Sequence, residues 1–285
     1  MTIKSLSPAK INLGLSIIKK LPNNYHEVKT IYTQVNLFDE LTIKDIQDNK
    51  IKIVCNDADI PCDESNTVYK AAALIKKRAN ISSGVEIYIK KNIPSGSGLG
   101  GGSSNAASTL ISLNKMWKLN LPLSKLIIMA KKIGADVPFH LIGGTALEIQ
   151  GGDKGGEVEQ LPPIPNCFII VCVPKHKILC KNAYSNVQYD KIGKNNLNSL
   201  IDAIKKKNLR KLCNNLHNDF ELWTLKQYPV LKQIKQEMKS GCALGNLLTG
   251  KGSGIYGIFD NITSAKKTYK LLKLKHAQCY LLKNI

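Results

Sequence analysis

Acidic residues are scarce in this chain of 285 residues: 21 Asp and Glu stand against 41 Lys and Arg, a formal net charge of +20. Aromatic side chains are few as well, at 6%. An RNA-binding protein of such charge would interleave aromatic rings along a basic stripe to stack on bases. Here the lysines fall in short groups instead, such as Lys205-Lys206-Lys207 and Lys266-Lys267. The pattern favours a solvated, lysine-rich surface over a nucleic-acid partner, though the charge would still draw in phosphorylated substrates. Long apolar runs are missing too. The longest, Cys167 to Val173, is far too short to cross a bilayer. Asn12 and Gly14 break the stretch from Ile11 to Ile18, so no secretory leader is expected. None of the eight cysteines forms a Cys-x-x-Cys pair, and several sit inside apolar strand-like runs. That usage suits buried thiols in a reducing compartment and argues against a zinc site or a disulfide framework. The expectation is a cytoplasmic protein with no membrane partner.

Three signatures of phosphate chemistry are absent. No Gly-Lys-Ser/Thr closes a P-loop, and no His-Arg-Asp or Asp-Phe-Gly marks a protein kinase. A dinucleotide fold would place an acidic residue about twenty positions after its glycines. After Glu86, no Asp or Glu occurs until Asp136. Yet a glycine-rich loop is present: Pro94-Ser-Gly-Ser-Gly-Leu-Gly-Gly-Gly-Ser-Ser104, with five glycines among residues 96 to 102. Such a backbone can turn its N–H groups inward, and a helix beginning at Ser103 or Ser104 would add unpaired donors and a positive dipole end. A flexible linker would have polar flanks, whereas Val85, Ile87 and Ile89 alternate like a strand before the loop, and Ala106, Leu110 and Leu113 follow at helical spacing. The loop reads as a phosphate cradle.

Other candidates carry two readings each. Lys10 lies in an apolar run between Ala9 and Ile11, so it is either a buried functional lysine or one on the solvent face of an edge strand. Asp136, ahead of Val137-Pro138, is a helix-start carboxylate or a general base. Tyr25, His26 and Tyr184 could be ordinary packing rings, and Lys91 a solvated strand-end lysine. The later loop Leu248-Thr-Gly-Lys-Gly-Ser-Gly254 could be a plain tight turn.

The segment Pro94-x-Gly-x-Gly-Leu-Gly-Gly-Gly-Ser-Ser-Asn-Ala-Ala resembles the ATP loop of the GHMP kinase superfamily. Ser7-Pro-Ala-Lys-Ile-Asn-Leu-Gly-Leu, Tyr25-His26-Glu27 and Gly134-Ala-Asp-Val-Pro-Phe narrow the resemblance to its 4-diphosphocytidyl-2-C-methyl-D-erythritol kinase family. The resemblance implies ATP as co-substrate, with Mg²⁺ screening its triphosphate, and phosphorylation of the 2-hydroxyl of a cytidine-diphosphate-linked methylerythritol in the non-mevalonate route to isoprenoids. It implies Lys10 and Asp136 as the catalytic pair, with the lysine favouring the ionised aspartate. Lys91, Pro94, Ser95, Gly96, Ser97, Gly98, Leu99, Gly100, Gly101, Gly102, Ser103 and Ser104 would bind ATP. Asn12, Tyr25, His26 and Tyr184 would bind the substrate, the last three around its cytosine. Two positions depart from the family pattern. Asn23-Asn24 replaces Asp-Gly in a turn, and Lys251 replaces a small residue in the third glycine loop.

The implied fold is two-domain α+β, with an N-terminal half like the second domain of ribosomal protein S5 and a ferredoxin-like C-terminal half. Glycine pairs at 143–144, 151–152 and 155–156, then Leu161-Pro-Pro-Ile-Pro165, mark the boundary and give domains 1–155 and 156–285. A helix is expected from Ser124 as N-cap to Gly134. The chain would act as a monomer or a homodimer.

Overall fold

The structure, a computed structural model, describes residues 1–21, 26–151, 154–174, 184, 197–276 and 278–285. Tyr25 lies outside them. The described residues form an α+β fold built on two sheets.

The larger sheet is organised around two long antiparallel strands, β1 (Thr2–Lys20) and β2 (His26–Ile46). Irregularities in their register fall between Pro8 and Ala9, Asn12 and Gly14, and Ile17 and Lys19. Such bulges re-aim side chains, and proline, which has no N–H to give the ladder, is a natural place for one. Around the first two bulges, Lys10 and Asn12 are buried along with Ala9, Ile11 and Leu13 on the opposite face. β1 is therefore a central strand covered on both sides. β3 (Ile51–Cys55) and β4 (Gly84–Lys90) extend the sheet beyond β2. Val85, Ile87 and Ile89 of β4 point inward, as their alternation predicts. Four helices cover this part: α1 (Thr67–Arg78), α2 (Gly101–Met116), α3 (Leu123–Ala130) and α4 (Val137–Ile142). α3 is capped by Pro122 and ends at Ala130, one short turn before Gly134.

The hairpin of β5 (Thr145–Gly151) and β6 (Lys154–Leu161) also belongs to the larger sheet. The expected break between residues 155 and 156 thus falls inside β6. Pairing continues from Ile149↔Glu157 to Thr145↔Leu161. Glycine weakens a strand without ending it, whereas Pro162, Pro163 and Pro165 cannot supply ladder donors. The chain leaves this sheet after Leu161.

The second sheet, in the order β11–β7–β10–β9, is antiparallel and contains β7 (Phe168–Val173), β9 (Gly245–Leu248), β10 (Ile255–Phe259) and β11 (Gln278–Lys283). Helices α5 (Asn198–Lys205), α6 (Leu209–Asn214), α7 (Glu221–Gln227), α8 (Pro229–Ser240) and α9 (Ile262–Lys275) accompany it. A single apolar cluster runs from Ala9, Ile11 and Leu13 through Val171 and Tyr256 to Leu200 and Leu212, so the sheets share a core. Gly14 permits this approach, because a Cβ there would lie 2.8 Å from Leu200 Cδ2 and 2.9 Å from Leu197 Cδ2. Among the cysteines, Cys172 and Cys279 sit directly opposite one another on β7 and β11, both buried and free.

A short strand, β8 (His217–Asn218), returns from the second half and pairs in parallel with β1 at Gly14 and Leu15. Its anchor is Asp219. One carboxylate oxygen accepts the Ile17 N–H at 2.7 Å, and the other lies 2.7 Å from His217 Nε2. Asp219→Ala would strand the buried Ile17 N–H and lower stability by roughly 1–3 kcal/mol in a urea titration. A loss within error would show that β8 is not held by this carboxylate.

Candidate active site

Two glycine loops and the middle of β1 meet at one place. The first loop, residues 94–100, leads into α2, whose N-cap is Gly100 in the left-handed region with φ +72°. Gly98, at φ +80°, has no room for a side chain: a Cβ would stand 2.1 Å from the Thr249 carbonyl oxygen. The two loops are in backbone contact there. Gly254 N–H donates to Ser97 O at 2.9 Å, and Thr249 Oγ1 donates to Gly98 O at 3.1 Å. Lys10 N–H donates to Leu99 O at 2.9 Å, which fastens the first loop to β1.

Residues 94–103, with Asn66, Thr67, Ile89 and Lys91, line a cleft of about 430 Å³. The first N–H groups of α2 have no acceptor within the helix, as at any helix start. Ser104 buries its Oγ with no hydrogen-bond partner. Orphan donors, a positive helix end and a buried hydroxyl are suited to an anion, and the cleft has the size of a small-molecule site.

On the other side of Gly100 stand Lys10 and Asp136. The Lys10 ammonium is 3% exposed. It donates to Asn12 Oδ1 at 2.7 Å, lies 3.5 Å from Asp136 Oδ2 and sits 4.8 Å above the Tyr32 ring centre. Burial lowers its pKa from the ordinary lysine value, while Asp136 and Glu148 partly oppose that shift. Asp136 is the N-cap residue of α4 by position, but its side chain makes no capping bond. Its Oδ1 accepts from Tyr32 OH at 3.0 Å instead. The carboxylate is thus turned toward Lys10. Asn12 is held by Thr30 Oγ1 at 2.8 Å and by Thr249 Oγ1 at 3.2 Å, and so spans β1, β2 and the second loop.

Lys91 lines the cleft, but its ammonium is paired with Asp39 in a buried ion pair. Asp39 also accepts the N–H groups of Asn92 and Ile93 at 2.8 Å and Asn105 Nδ2 at 3.0 Å. One carboxylate therefore holds the chain before the loop and the helix behind it. His26 and Tyr184 do come together, as a stack with ring centres 4.5 Å apart and planes at 17°. A base between them would need about 7 Å, two van der Waals layers. Lys251 Nζ lies 4.5 Å from the Tyr184 ring centre and Phe220 meets the ring edge-on. Tyr32, Asp39, His140 and Thr249 are part of the site although sequence reasoning did not single them out. Only Thr249, inside a quoted glycine motif, carried a local signal.

A glycine loop heading a helix, with a lysine and an aspartate beyond it, defines a small-molecule kinase of the GHMP class. Residues 66–144 match the family described as GHMP kinases N terminal domain. Mevalonate kinase of L. major, solved with R-mevalonate, shares the fold, with a TM-score of 0.76 at 14% identity over 100% of this chain and 96% of that one. A solved 4-(cytidine 5'-diphospho)-2C-methyl-D-erythritol kinase superposes with a TM-score of 0.82 at 26% identity, covering 99% of both chains. The 4-diphosphocytidyl-2-C-methyl-D-erythritol kinase of Caldicellulosiruptor bescii is 39% identical over 267 residues, 93% of this chain and 92% of that protein. The chain belongs to the 4-diphosphocytidyl-2-C-methyl-D-erythritol kinase family.

Two of the left-handed glycines, Gly96 and Gly98, should respond differently to a methyl group. Gly96, at φ +67°, has nothing within 4 Å of a Cβ, so Gly96→Ala should cost only the local strain of about 1–2 kcal/mol. Gly98→Ala must also push the loops apart, and should lower both the melting temperature and nucleotide affinity further. Equal effects of the two in thermal melts and ATP titrations would refute the loop contact. The basic surroundings of His26 give another test. Burial lowers its pKa, and Lys20 and Lys251 add to that by repelling a second positive charge. Lys251→Met removes one cation, so the His26 pKa should rise in an NMR titration. A fall would place Lys251 elsewhere.

Proposed function

We propose that this chain transfers the γ-phosphoryl group of ATP to the 2-hydroxyl of 4-diphosphocytidyl-2-C-methyl-D-erythritol, a step of the non-mevalonate route to isoprenoid precursors, in the cytoplasm. The observation that carries this is the facing of Lys10 and Asp136 across Gly100 from the cleft, in a chain matching kinases of that name along nearly its full length.

Phosphoryl transfer is mostly positioning and charge stabilisation. The backbone of residues 96–104 and the Ser104 hydroxyl would hold the triphosphate in the cleft. Asp136 would accept the proton of the attacking hydroxyl, oriented by the hydrogen bond from Tyr32. Lys10, fixed by Asn12, would stabilise charge on the acceptor oxygen and the phosphoryl group. Mg²⁺ would supply charge neutralisation of the triphosphate. Mg²⁺ is usually held by substrate phosphates with one or two protein oxygens and needs no dedicated cage of side chains. Lys91 would shape the nucleotide cleft through Asp39 and not by a free charge. The cytosine would lie against His26, with Tyr184 backing the imidazole, which fits the closed stack.

An ADP-release assay with the cytidine-linked alcohol, mevalonate and homoserine tests the substrate, and a faster reaction with either of the last two would overturn the assignment. Asp136→Asn should fold and bind ATP but lose turnover by roughly a hundredfold or more, because an amide cannot take the proton. Retention of turnover within about threefold would remove Asp136 from that role.

A further inference from the structure

His140, on α4, is a buried imidazole that the mechanism above does not use. It is 7% exposed, and neither ring nitrogen has a hydrogen-bond partner. A buried polar group left unpaired costs roughly 1–3 kcal/mol, and native proteins keep few of them without a ligand, a water or a catalytic role to explain them. The position of this one is specific. A Cβ on Gly100 would lie 2.8 Å from His140 Nε2, 3.0 Å from Lys10 Cγ and 3.1 Å from Lys10 Cε. Gly100 also lines the nucleotide cleft and caps the 16-residue helix α2. At that glycine, only backbone separates the cleft from Lys10, the ion-pair partner of Asp136, and His140 is aimed at the same point. Phe139 packs against the other part of the ring, with centres 5.1 Å apart.

We propose that His140 donates a hydrogen bond to a non-bridging oxygen of the phosphoryl group in transit, completing with Lys10 and the start of α2 a three-sided oxyanion site. This rests on the kinase reading above and adds a residue to it. Burial, and to a lesser degree Lys10, holds the His140 pKa down to about 3, with Asp136 opposing. The ring is therefore neutral during turnover, with one N–H to give and too weak a basicity to compete with Asp136 for the proton. No covalent bond to the ring forms or breaks. Its contribution is one preorganised donor where charge spreads over the phosphoryl oxygens.

The test has two arms. In the first, His140→Phe keeps a ring but no donor, and His140→Gln keeps an N–H. The phenylalanine variant should lose about ten- to a hundredfold in kcat, with KM for the alcohol within about twofold and a melting temperature equal or higher. The glutamine variant should recover part of the loss. In the second arm, the unaltered protein labelled with ¹⁵N-histidine is titrated with ADP and with the β,γ-imido analogue of ATP. The His140 N–H resonance should shift with the triphosphate analogue and not with ADP. The proposal is overturned by a phenylalanine variant within about twofold of parental kcat, by equal shifts with both nucleotides, or by no shift at all, as for a ring held only by trapped water. Failure of the parent to phosphorylate the cytidine-linked alcohol would instead overturn the substrate assignment, and leaves the second arm decisive for His140.

Discussion

Removing an ammonium group from water is costly, and the centre of this fold is arranged around one such group. Lys10 sits inside the larger sheet with an amide, a carboxylate and an aromatic face around it. Desolvation alone would favour the neutral amine, and the charges of Asp136 and Glu148 act in the other direction, while the amide and the ring complete the surroundings of the ammonium. The amide, the ring and the Asp136 carboxylate each come from a different part of the chain. Asn12 comes from β1 itself, Tyr32 from β2 and Asp136 from the start of α4. The bulged pairing of β1 and β2 and the seating of α4 are thus conditions for burying the lysine, and the buried lysine makes the carboxylate face inward.

The loop beside it is held by a second buried charge. Asp39 binds Lys91, two backbone N–H groups before the loop and Asn105 behind it. A flexible glycine segment would lose much backbone entropy on gripping a phosphate. Fixing both ends, and pressing Gly98 against Thr249, removes most of that freedom before any ligand arrives. The Asp39–Lys91 pair therefore acts on shape, whereas the Lys10–Asp136 pair is the one to which the proposed mechanism assigns reactivity.

The glycine loop was readable because glycine takes the left-handed turns at 96, 98 and 100 without the strain that a side chain would bring. Lys10 stood out because a charge within an apolar run needs a reason. Strand and helix periods permitted an α+β fold, but the architecture, like the family, came from whole motifs. What could not be read were pairings across long separations. Nothing local links Asp39 to Lys91, Tyr32 to Asp136, or His26 to Tyr184. For Asp136 the sequence could not show that its side chain leaves the helix end uncapped. Gly155-Gly156 looks like a break in the sequence, yet β6 runs from Lys154 to Leu161 and pairs with β5 on either side of it.

The stretch that matches the GHMP family, residues 66–144, has a further property. It holds the phosphate loop, Asp136 and His140, yet it omits β1, β2 and the Asp39 carboxylate. Its helices would expose the apolar faces that Leu41, Ile43 and Ile53 now cover. Nor is the part before Leu161 self-sufficient, since Ala9, Ile11 and Leu13 are covered from the second sheet and β8 closes against β1. Chemistry and folding are therefore partitioned differently along this chain. The glycine loop, Asp136 and His140 fall within one segment of sequence, but Lys10 reaches them from β1, and the smallest piece that could hold all of them in place is close to the whole protein.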